Sequence, residues 1–176
     1  MGDIRRERFE ALAAQVWDPL RRYVARRVGP DAAQDVHADV LLVLWRRLDD
    51  VPRGFELPWS YKVAQGCLAN WQRGQQREHR LLRRLRDEPT TYAPPEQDEQ
   101  LTAALAKLKP AEQEVLRLWA WEGLEARDIA VVLDISSNAA AVRLSRAKSA
   151  LRDQLGKDPA GAGHKGVRQE REQGHE

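Results

Sequence analysis

The stretch from Asp134 to Leu155, DISSNAAAVRLSRAKSALRDQL, puts side chains that can bond nucleic acid along one helical face. Asn138, Val142, Ser145, Arg146 and Ser149 recur at helical spacing, opposite an apolar row of Ala140, Leu144, Ala147 and Leu151. An asparagine can bond an adenine edge with two hydrogen bonds, and arginines can bond guanine or phosphate. A shorter stretch precedes it, Glu125 to Leu133, with Ile129, Val132 and Leu133 facing inward and a small Ala130 where a second helix could cross closely. A tight turn is expected at Asp134–Ile135, and Ser136 or Ser137 caps the next helix by accepting from free backbone amides. Helix, short turn, helix is the helix-turn-helix arrangement, whose second helix lies in the major groove. A plain hairpin in a helical bundle shares the apolar pattern. The polar chemistry favours nucleic acid: Asn138 at the first turn, then Arg143, Arg146 and Lys148.

A second stretch, PWSYKVAQGCLANWQR from Pro58 to Arg73, interleaves Trp59, Tyr61 and Trp71 with Lys62, Gln65, Asn70 and Arg73. Rings that stack and cations that track phosphates suit unpaired bases. Taken singly, Trp59 and Trp71 also read as core anchors. A third stretch, DVHADVLLVLWRR, places Asp35 and Asp39 four residues apart on one face, while His37 points elsewhere. That geometry does not form a metal or acid–base triad. It suits an acidic face docking on a basic partner, or simply a solvated one. His37, His79, His164 and His175 are scattered, and no glycine loop cradles phosphate. Cys67 is the only cysteine, which excludes an intramolecular disulfide and a cysteine-rich metal site. Its apolar context marks it as a small buried hydrophobe. No catalytic residue, metal or cofactor is expected.

These stretches need helices to position them. The chain has 176 residues, enough for one ordinary domain or two small ones, and at 42% hydrophobic residues it can bury a core. Nearly every periodic segment is helical, so the expected class is all-α. Phe9, Leu12, Ala13 and Val16 form one stripe; Leu20, Tyr23, Val24 and Val28 form another, with a break or kink expected at Asp18–Pro19. Asp31 is expected to cap a helix bearing Val36, Val40, Val43 and Leu44. Asp49 to Leu57 reads as a loop, and Pro58 suits a helix N-terminus. A further helical unit holds Leu101, Leu105 and Leu108, then Pro110 at a first turn.

Net charge is only +2, but it is unevenly spread. Trp71 to Arg86 holds six arginines against Glu78 alone, whereas Asp87 to Gln100 holds five acidic residues and no Lys or Arg. The total cancels; the local field does not. Three prolines and no apolar period make Asp87–Gln100 a linker. The expected layout is therefore two small helical domains, 1–86 and 101–155, joined by a flexible linker at 87–100, the second domain a helix-turn-helix. A disordered tail follows at 156–176, where large apolar residues almost vanish. A charged N-terminus without an apolar signal core, and no bilayer-length apolar run, predict a soluble cytoplasmic protein.

The two units in this order resemble the extracytoplasmic-function group of sigma factors in the sigma-70 superfamily, the dissociable promoter-recognition subunits of bacterial RNA polymerase. RFEALAAQVWDPLRRYVARRVGPDAAQDVHADVLLVLWRRLDD resembles the start of that group's N-terminal conserved domain, and PWSYKVAQGCLANWQRGQQRE its promoter-melting helix. LAKLKPAEQEVLRLWAWEGLEARDIAVVLDISSNAAAVRLSRAKSAL resembles its C-terminal helix-turn-helix domain. The likeness spans about residues 5–155.

The resemblance implies roles by position. Asp35, Asp39, Leu42 and Arg46 would dock on core RNA polymerase. The loop Asp49–Leu57 with Trp59, Lys62, Gln65, Asn70, Trp71 and Arg73 would capture the non-template strand at the minus-ten element. Arg127, Ser137, Asn138, Ala139, Val142, Arg143, Arg146 and Lys148 would serve the minus-thirty-five element. Promoter DNA, core polymerase and an anti-sigma factor are the implied partners. The other reading of the residues is a stand-alone helix-turn-helix regulator, which would need a dimer to read paired half-sites. The chain departs from the group's pattern at Ala38, at Gln65–Gly66, at Asn70, and at Asp134, where glycine is common. It also has Ala140 for valine, expected to loosen the crossing of the two helices, and Ala141 for a basic residue, which forgoes a phosphate contact.

Overall fold

The computed structural model describes residues 2–82 and 99–156, and among them every regular element is a helix. Three long helices come first: α1 (Gly2–Val28), α2 (Pro30–Arg46) and α3 (Glu56–Leu82), with a 3₁₀ turn at Leu48–Asp50. Four follow: α4 (Glu99–Ala106), α5 (Pro110–Ala120), α6 (Ala126–Leu133) and α7 (Ser137–Gly156). The all-α class holds. Most of the expected linker, 87–98, and the tail after Gly156 lie outside the described residues; Glu99 and Gln100 already belong to α4.

The apolar stripes meet as the spacing dictates. Val16, Leu20, Tyr23 and Val24 of α1 pack with Val40 and Leu44 of α2 and Tyr61 and Ala64 of α3, all buried. The expected break at Pro19 does not occur, and α1 runs through it. A proline inside a helix costs about 3 kcal/mol. Each fully buried apolar side chain returns roughly 1.5–3 kcal/mol, and four of them flank Pro19 on the core face. Asp31 is not the cap of α2. Gly29 holds that place at a φ of 81° and Pro30 begins the helix, so Asp31 sits in the first turn, where its charge suits the dipole. At α3 the helix starts at Glu56, so Pro58 falls in its first turn rather than at its first residue, and the helix continues well past Arg73.

In the second half, α5 opens with Pro110, and the Glu112 carboxylate accepts from the Lys109 backbone N–H at 3.1 Å. Gly123, at a φ of 66°, lets the chain turn so that the Leu124 N–H reaches the Leu118 carbonyl. The two halves share one core. Val115 and Leu118 of α5 and Ile129, Ala130 and Val132 of α6 join the same buried cluster as α1–α3, with α6 packed on α3. A smaller cluster of Leu108, Leu116 and Ala147 seats α4 and α5 against α7.

Candidate nucleic-acid interface

Local chemistry builds the helix-turn-helix. Asp134 adopts a left-handed backbone, φ 56° and ψ 46°, which aspartate tolerates better than most residues. The Ile135 N–H then closes on the Ala130 carbonyl at 3.0 Å. Ser136, rather than Ser137, caps α7: its Oγ accepts from the Ala139 N–H at 3.1 Å. Ala140 and Ala147 are fully buried, so the small side chains let α7 cross close to its neighbours.

Of the residues assigned to α7, Ser137, Asn138, Val142 and Arg146 are exposed on the outer side, and Ala139 and Arg143 are half-buried. Ala141 is exposed beside them. Lys148 turns away from that row: its ammonium lies 3.5 Å from the Trp119 ring centroid on α5. Arg127 of α6 is exposed and neighbours Glu125 and Asp128, at 3.5 and 3.7 Å.

The residues assigned to α3 are divided. Asn70 and Arg73 are exposed, with Arg73 donating to Asn70. Trp71 is half-buried against the core, and Trp59 is only 7% exposed, with the Arg47 guanidinium 5.2 Å over its ring. The indoles therefore sit as core anchors here, not as free stacking platforms. Lys62 and Gln65 face the second half: Lys62 Nζ bonds Asp134 Oδ1 at 2.8 Å, and Gln65 Nε2 donates to Glu114 Oε1 at 3.1 Å.

Those two bonds edge a polar seam between the halves that sequence reasoning missed. Arg26 donates to Glu122 at 2.5 Å, and Arg27 reaches Glu114 at 3.0 Å and Glu122 at 3.5 Å. The Tyr61 hydroxyl donates to Glu122 at 3.4 Å and the Tyr23 hydroxyl to Glu114 at 3.5 Å. The Arg27 guanidinium also covers the Tyr23 ring at 3.6 Å. Side-chain exposure is 2% for Glu122 and 13% for Arg27, so these charges are sheltered from water. Burial pushes both phenols well above their usual 10, with Arg27 opposing the rise at Tyr23 and Glu122 adding to it at Tyr61.

On α2, Asp35, Asp39, Leu42 and Arg46 all lie exposed at intervals of four, three and four residues, which puts them on one face. Leu42 is 45% exposed, an apolar point within a charged row. His37 is buried against Trp17, ring centroids 4.7 Å apart; burial holds its pKa below the usual value and Arg21 adds to that. Cys67 is half-buried, and burial raises its thiol pKa, with Asp39 contributing. No group among the described residues could hold a metal ion, and no described helix is long and apolar enough to cross a membrane.

Comparison with known proteins matches residues 98–151 to sigma-70 region 4. No curated protein matches the chain. Among solved structures, the sigma factor RpoE in complex with the anti-sigma factor NepR from Bartonella quintana is 21% identical with a TM-score of 0.61, over 85% of this chain and 98% of that one. CnrH in complex with the cytosolic domain of CnrY is 24% identical with a TM-score of 0.58, over 85% and 88%. The PhyRSL–NepR complex from Sphingomonas sp. Fr1 is 19% identical with a TM-score of 0.60, over 94% and 96%. The fold of this chain is thus shared with a sigma factor along nearly its whole described length.

Proposed function

Taking as premise that residues 98–151 are a sigma-70 region 4 domain carried on a sigma-factor fold, we propose that the chain directs bacterial RNA polymerase to specific promoters as a sigma factor of the extracytoplasmic-function group. The observation that carries this reading is the order of parts. A helix-turn-helix with an open outer face follows a three-helix unit whose α2 displays Asp35, Asp39, Leu42 and Arg46 on one exposed row. A stand-alone regulator has no use for that row.

In this reading residues 1–86 form the polymerase-binding and minus-ten domain, 87–100 the linker, 101–155 the minus-thirty-five domain and 156–176 a tail. The row on α2 docks on core polymerase. Asn70 and Arg73, with Lys62 and Gln65, serve the separated strand, on a helix that Trp59 and Trp71 anchor to the core. Ser137, Asn138, Ala139, Val142, Arg143 and Arg146 enter the major groove, with Arg127 and Lys148 at its phosphate edges. The chain performs no bond chemistry; polymerase makes the RNA, and the site of action is the cytoplasm. An anti-sigma factor is the expected regulator, since a sigma factor sharing this fold is seen in complex with one.

The test mixes the full chain with core polymerase and a library of randomised promoters. A stable complex and transcripts enriched for one pair of spaced elements are expected. Binding to duplex DNA as a free dimer, with polymerase ignored, would replace this reading with the stand-alone regulator.

A further inference from the structure

Helix α1 and the chain from Leu48 to Glu56 border an open cleft of about 360 Å³. Pockets that hold small molecules run from roughly 300 to 1,000 Å³. Arg8, Ala11, Leu12 and Gln15 recur at helical spacing, so one face of α1 makes one wall. Leu48, Val51, Arg53 and Glu56 make the other. The floor is apolar: Leu12, Leu48 and Val51 are at most 8% exposed. The small side chain of Ala11 leaves the space between the walls.

The rim is cationic. Arg53 is exposed and has no partner among the described residues. Arg8 reaches Asp49 at 3.1 Å, but Arg5 holds the same carboxylate at 2.6 Å, so Asp49 keeps a cation if Arg8 turns to a ligand. Glu56 is the one acid lining the cleft, and its Oε1 already accepts from the Gly54 N–H at 3.0 Å. No aromatic ring lines the walls, so a nucleobase would find nothing to stack on. Two guanidiniums over an aliphatic floor suit a carboxylate on an aliphatic body. The head takes charge-assisted hydrogen bonds and the body covers apolar surface.

We propose that this cleft binds a small organic anion, a monocarboxylate with an aliphatic chain, its head between Arg8 and Arg53 and its chain over Leu12, Leu48 and Val51. Bound there, the anion joins α1 to the following loop through one guanidinium on each. Occupancy then holds the loop that serves the separated strand. That consequence rests on the sigma-factor reading; the site itself does not.

The experiment titrates the nitrogen-15-labelled full chain with octanoate and follows its amide resonances. Shifts at Ala11, Leu12, Gln15, Val51 and Gly54, saturating near about 1 mM, are expected for a ligand of about ten non-hydrogen atoms. Acetate has the head without the body, and octylammonium the body with the opposite charge. Neither should move these amides at the same concentration. Arg53→Gln should weaken octanoate binding by about tenfold, the worth of one charge-assisted hydrogen bond. Ala11→Leu, at an exposed helical position that leucine suits, should fill the cleft and remove binding. If that leucine disturbs α1, Arg53→Gln carries the test, since Arg53 has no described partner to lose. The proposal is overturned if octanoate moves no amide around the cleft, if octylammonium moves the same ones, or if the substitutions leave the titration unchanged. No polymerase or DNA enters the titration, so its failure and that of the transcription test are separate results.

Discussion

Helices α7 and α3 carry the same kinds of side chain in opposite circumstances. Along α7, amide, aliphatic and guanidinium groups stand in solvent while the small residues Ala140 and Ala147 face inward. Along α3, the corresponding cation and amide, Lys62 and Gln65, are already bonded to the other half of the chain. The difference lies in what each helix packs on. Helix α7 rests on its own domain, so its outer face is spare; α3 lies between the two halves, so one of its faces is shared. A face that belongs to one domain stays open, whereas one at a junction is exposed only when the junction parts.

The largest effect that would break this comparison is at Glu122. Glu122→Ala leaves Arg26 without its carboxylate and Arg27 with Glu114 alone, and stranding one member of a buried pair costs about 3–5 kcal/mol. Urea denaturation should show the loss as a lowered midpoint and as separation of one transition into two, because the halves no longer unfold together. A single unchanged transition would mean that the seam contributes nothing to coupling them. Next come Asn138→Ala and Arg146→Ala. Both side chains are exposed, so stability should hold within about 0.5 kcal/mol, while discrimination between minus-thirty-five duplexes falls by roughly 1–3 kcal/mol per lost bidentate contact. Equal binding to cognate and scrambled duplexes before and after substitution would remove α7 from the reading role.

Alkali probes the seam without substitution. Tyr23 and Tyr61 have folded pKa values raised by burial above the unfolded value near 10. Their contribution is complete below pH 10 and is lost as pH rises beyond it, because the unfolded or opened chain releases phenolic protons that the closed one retains. A pH series of melting curves with absorbance at the phenolate band should show tyrosine ionisation coinciding with opening. Phenols that titrate near 10 in a chain that stays compact would contradict the sheltered seam. Ala141→Lys is a smaller change: it adds one phosphate contact, so duplex binding should tighten uniformly across sequences and the salt slope steepen by about 1. Smallest is Gly66→Ala, where an added Cβ meets nothing within 4 Å and helix stability should rise by about 1 kcal/mol.

The helix-turn-helix was legible in the sequence because its signals are local. Asp134 for the left-handed turn, a serine cap and an alternation of small and polar residues lie within a few positions of each other. The acidic row of α2 was legible for the same reason: four-residue spacing alone puts Asp35 and Asp39 on one face. The seam was not legible. Nothing local pairs Arg26 or Arg27 with Glu114 or Glu122, which lie 87 and 96 residues away in the bonded pairs. Pro19 misled for the complementary reason. Its local penalty predicts a break, but the burial of Val16, Leu20, Tyr23 and Val24 outweighs it. Trp59 and Trp71 suit stacking or packing by type, with packing favoured for either taken singly, and their neighbours place both against the core.

The central point to test is that the outer face of α7 stays open while the Lys62–Gln65 face of α3 is covered by the other half of the chain until polymerase and promoter engage it. The most direct measurement is an inter-label distance by single-molecule fluorescence. Dyes would be placed at Gln72→Cys and Ser145→Cys, both exposed, in a Cys67→Ala background. The free chain should give one short-distance population, and core polymerase with promoter DNA should convert it to a long-distance one. A free chain already extended, or a distance unchanged in the polymerase complex, would contradict the claim.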